Sequence, residues 1–99
     1  MNELKDTILH INNAHKTLVW ISYIDGLFPN SLVLSCYHST LPKVMLTFVI
    51  RESTDCYHVA CEKYLCGAPL CRIESVVGAQ SDVIHVVTTV LKMAFGGVA

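Results

Sequence analysis

Four cysteines, Cys56, Cys61, Cys66 and Cys71, stand five residues apart, with His58 between the first two. Thiolates and imidazoles are the donors of structural zinc sites, so the pattern raises the question of a metal. The spacing argues against one. Five residues along a helix leave successive side chains about 140° apart, and five along a strand send them to opposite faces. Zinc sites are usually built on tight pairs, and no Cys-x-x-Cys occurs in the chain. Buried structural thiols are expected instead, with no metal ligand among them.

A second chemistry is nucleophilic. If the segment around it is helical, His58, Cys61 and Glu62 lie at steps of three and four, within reach of one another, and His58 could act as base to Cys61. A nucleophile also needs an exposed turn and a donor for the oxyanion, and the sequence offers neither beside Cys61. The other histidines, His10, His15, His38 and His85, do not pair on a common face, and no phosphate-binding glycine loop, nucleophile elbow or paired carboxylates are present. No catalytic residue and no cofactor is expected.

The elements that must position these residues can be read from periodicity. Asn2 caps a helix expected to run to residue 15, with Leu4, Ile8 and Ile11 along one side. Thr17 to Ile24 is β-branched, aromatic and apolar on both faces, which predicts a central strand, and Asp25-Gly26 turns the chain. Ser31 to Ser39 and Val44 to Glu52 follow as two more strands joined by the turn Thr40-Leu41-Pro42-Lys43. Ser53-Thr54-Asp55 reads as a helix start, and Tyr57, Ala60, Cys61, Tyr64 and Leu65 then recur at three- and four-residue steps before Gly67, which predicts a helix over 54–66. Leu70 to Val77 alternates as an edge strand should.

In the last segment the β-branched residues favour a strand, but Asp82, His85, Thr89 and Lys92 fall on one narrow helical stripe, which predicts a helix over 81–95 ended by Gly96-Gly97. The resulting α-β-β-β-α-β-α order is an α+β fold, a mostly antiparallel sheet packed by helices in a single domain over residues 1–99.

Composition then limits function. The chain has 99 residues and a formal charge of −1, with neither the basic surplus of nucleic-acid binders nor the acidic surplus of DNA mimics. No run is apolar and long enough for a membrane-spanning helix, and the first residues lack a secretory pattern. Five cysteines in such a chain suit free thiols in a reducing cytoplasm. Apolar residues make up 53% of the chain and charged ones only 15%, more apolar surface than a domain of this size can hide.

The expectation is a homodimer joined through the apolar arc of the last helix, at Val83, Val87, Val90, Leu91 and Phe95, with a further protein partner in view. The expected function is a small non-catalytic protein-interaction module: a dimeric adaptor, a chaperone, or a viral or phage accessory inhibitor that binds a host protein. The alternative is a small thiol- or metal-dependent enzyme using Cys61 and His58.

Overall fold

The structure, a computed structural model, describes residues 2–12, 17–23 and 30–95. Helix α1 (Asn2–Ile11) precedes five strands, β1 (Leu18–Tyr23), β2 (Ser31–His38), β3 (Leu41–Glu52), β4 (Tyr57–Leu65) and β5 (Ala68–Val77), and helix α2 (Gln80–Phe95) closes the chain. The strands form one antiparallel sheet in the order β1-β2-β3-β4-β5, a meander in which every strand pairs with its neighbours in sequence. This is an α+β fold, as expected. Residues 13–15 of the expected first helix, the Asp25-Gly26 turn and the Gly96-Gly97 terminator lie outside the described residues.

One expected element is corrected. Residues 57–65 are strand β4 and not a helix, so the order is α, five strands, α. Ser53 to Cys56 form the turn into β4, closed by the Ser53 amide donating to the Cys56 carbonyl at 2.8 Å, and do not cap a helix. The far end turns on Cys66 and Gly67, both with positive φ, 52° and 83°. A two-residue hairpin loop with positive φ at both positions matches the twist of the flanking strands, so Gly67 begins a return strand where a helix terminator was expected. The tertiary reason is pairing: β4 lies between β3 and β5 and bonds both.

The β2–β3 hairpin also turns one step earlier than expected, at Ser39-Thr40. Leu41 and Pro42 already belong to β3, beside a register shift at Tyr37/His38 that tolerates the missing proline donor.

Strand residues alternate between two faces. Leu32, Leu34 and Cys36 of β2, Leu46, Phe48 and Ile50 of β3, and Val59 and Cys61 of β4 point to one side and are buried there. Leu4 and Ile8 of α1 and Val83, Val87, Leu91 and Phe95 of α2 cover them, so both helices share that side and one core. The four buried α2 residues repeat every fourth position and lie on one stripe of the helix. Asn12, buried at the end of α1, donates through Nδ2 to the Ile8 carbonyl at 3.0 Å and to Thr88 Oγ1 of α2 at 3.3 Å, tying the two helices together.

Candidate interaction surface

Among the described residues no helix lies on the second face of the sheet, and its make-up follows from the register. Rows of directly opposed residues cross it. One row runs Val19, Tyr37, Met45, Tyr64; the next runs Ile21, Ser35, Thr47, Glu62, Arg72; a third runs Val33, Val49, Ala60, Glu74. The face is therefore divided. Its β1–β3 half is mostly aliphatic and aromatic, with Val19 and Ile21 at the surface and Val33, Tyr37, Met45 and Val49 half-buried. Its β4–β5 half carries the charges.

Within the apolar half Ser35, itself buried, meets half-buried Thr47 through their hydroxyls, Oγ to Oγ1, at 2.9 Å. On the charged half Arg72 reaches Glu62 with Nη1 at 2.6 Å and Glu74 with Nε at 2.8 Å, and the Tyr64 hydroxyl donates to Glu62 at 2.6 Å. The bond to Glu62 holds the Tyr64 phenol above its ordinary pKa. Two hollows, of about 520 and 680 Å³, open on this same face. One is walled by Arg51, His58, Arg72 and Glu74, the other by Met45, Thr47 and Tyr64.

The residues that could have done chemistry are not brought together. On a strand His58 and Cys61, three apart, point to opposite faces: His58 is exposed on the open face and Cys61 is in the core. The helical neighbourhood expected for His58, Cys61 and Glu62 does not exist. Burial, reinforced by nearby Cys71 and then Glu62, pushes the Cys61 thiol up to about 12, and burial does the same to Cys36, so neither offers a thiolate at neutral pH.

The imidazole instead meets Cys56, two residues away, with Sγ to Nε2 at 3.7 Å, a pairing that only the strand assignment makes visible. Cys66 and Cys71 are exposed. Among the described residues no group of three or more His, Cys, Asp or Glu side chains is arranged to hold a metal ion.

The residues expected at a subunit interface are placed differently as well. Val83, Val87, Leu91 and Phe95 are buried under the protomer's own sheet, and Val90 is half-buried beside them. α2 packs against the sheet at β4, and of the helix's large apolar residues only Met93 is well exposed. The surplus apolar surface lies on the open sheet face and on β5. A signal for it was present, since β1 and β2 are apolar on both faces although β1 is the sheet's edge.

Among the described residues no helix is long and apolar enough to cross a membrane. Comparison of the chain with protein-family models, with curated proteins and with solved structures finds no match.

Proposed function

We propose that the protein is a non-catalytic protein-interaction module, working as a dimeric adaptor, a chaperone or an accessory inhibitor that covers a surface of another protein and transforms no substrate. The observation that supports this is the open sheet face, where Val19, Ile21, Val33, Tyr37, Met45 and Val49 adjoin one another with both helices on the opposite side. Five strands about 4.8 Å apart and roughly 25 Å long present about 600 Å². Counted with an equal area on a partner, that exceeds the roughly 1,000 Å² of a stable protein interface. An aliphatic half beside a charged half suits a partner with an apolar patch rimmed by charges, the usual anatomy of such contacts.

Site-specific photo-crosslinking in cells that make the protein tests the proposal. A photoreactive residue at Val49 should trap a protein that the same residue at Thr89, on the polar stripe of α2, does not. The substitution V49K at full thermal stability should release it. Equal trapping from both positions, stoichiometric bound metal, or one hyper-reactive thiol in the purified protein would count for the enzyme alternative and against an interaction surface.

A further inference from the structure

We propose that two copies of this chain join edge to edge through β5, antiparallel about a two-fold axis at Ile73, to make one continuous ten-stranded sheet. This rests on the interaction-module reading and adds to it one partner of known chemistry, a second copy.

The edge itself is the first argument. β5 is one of the sheet's two edge strands, ten residues long, and is exposed on both faces over most of its length. Leu70, Ile73 and Val76 are 55%, 49% and 64% exposed. Sheet edges are normally guarded by like charges, an internal proline, a bulge or brevity, because a free row of amides and carbonyls pairs with any strand it meets. β5 has none of these over residues 71–77. Its one proline, Pro69, and the register shift against β4 that leaves Leu70 unpaired both stand near its start, and its two charges, Arg72 and Glu74, are opposite in sign.

The charges also select the register. About a two-fold axis normal to the sheet a strand pairs with its own copy through residues of one face, so the axis falls on a single residue. On Arg72 or on Glu74 it would set like charges face to face, which is unfavourable. On Ile73 it sets Arg72 against the partner's Glu74, Cys71 against the partner's Ser75, and Ile73 against the partner's Ile73, all within the regular part of the strand, residues 71–77. Every charged pair is then opposite, and Ile73, the apolar residue at the centre, meets its own copy. Glu74, largely exposed on its outer side, has room for the second guanidinium. This symmetry keeps both open faces on the same side, so the two apolar halves become parts of one broad platform.

Sedimentation of the purified full chain under reducing conditions, at micromolar concentration, is the test. The native chain should sediment as a dimer of its 11.0 kDa unit. R72E sets acid against acid across the axis and E74R sets arginine against arginine, so each alone should associate at least tenfold more weakly. Mixed in equal amounts they should recover a heterodimer, because every facing pair is again opposite. A native monomer, a variant that still dimerises alone, or a mixture that stays monomeric overturns the proposal.

Should R72E not fold, since Arg72 also faces Glu62, a second measurement decides. C56S/C66S/S75C should give a disulfide-linked dimer through Cys71 under mild oxidation, and its failure to do so overturns the proposal equally. A native dimer that both charge variants leave intact removes β5 pairing while leaving the photo-crosslinking result at Val49 to stand or fall by itself.

Discussion

Val87 separates the two places its side chain could occupy, the protomer core or a subunit interface, and V87E tests which is right. In the structure Val87 has no exposed surface and lies in the core under the sheet. Removing its buried methyls costs about 1.5–3 kcal/mol. The introduced carboxyl has no partner there and must be protonated to stay inside, which at about pH 7 costs about 4 kcal/mol for a group that titrates near 4.3 in the unfolded chain. The combined loss reaches the lower half of the roughly 5–15 kcal/mol that hold a domain of this size together.

The pH dependence has a definite sign. The folded-state pKa of the introduced carboxyl is raised, so its penalty is absent below the unfolded pKa and grows as pH rises above it. About 3 kcal/mol should return between roughly pH 7 and pH 5. Urea melts followed by far-UV circular dichroism at the two pH values measure both effects, with M93K, at a position 76% exposed, as the neutral control. A V87E protein that melts at the native midpoint would refute the core placement and return Val87 to a surface.

Three further outcomes follow from the same geometry. N12A removes the buried amide that bonds the Ile8 carbonyl and Thr88, and should cost about 1–2 kcal/mol in the same melts, with T88V costing less because the Ile8 bond survives. At neutral pH a thiol reagent should label Cys56, Cys66 and Cys71 well before Cys36 and Cys61. Because the unfolded chain releases the Cys36 proton near 9.0 and the folded chain only near 12, stability should hold below pH 9.0 and fall above it, with a Cys36 share of about 1.4 kcal/mol near pH 10 that C36A removes. G67A forces a Cβ into a φ of 83°, and with open space around it should cost about 1 kcal/mol from backbone strain alone, read as a lowered melting temperature.

The extent to which this fold was legible depends on whether a segment carries one period or two. In α2 the polar residues Asp82, His85, Thr89 and Lys92 mark a helical stripe that no strand reproduces, and the helix forms in spite of its β-branched content. In β4 both periods coexist: Tyr57, Ala60, Cys61 and Tyr64 fit a helix, while Tyr57, Val59 and Cys61 alternate with His58, Ala60 and Glu62 as a strand requires. The deciding fact is not local. As a strand the segment pairs with β3 and β5 through turns of four and two residues, which satisfies the backbone of all three.

The same limit hid the interaction surface. A strand that is apolar on both faces reads as central, because periodicity records which faces avoid water and is silent on what shields them. β1 shows the difference. Trp20 points inward, its ring 6.4 Å from that of Phe48, while Val19 and Ile21 on the other side are each 38% exposed at the edge of the sheet. The alternation gave both faces of β1 the same apolar character, and only the placement of the two helices on a single side distinguishes the face the protein covers itself from the one we propose it offers to another protein.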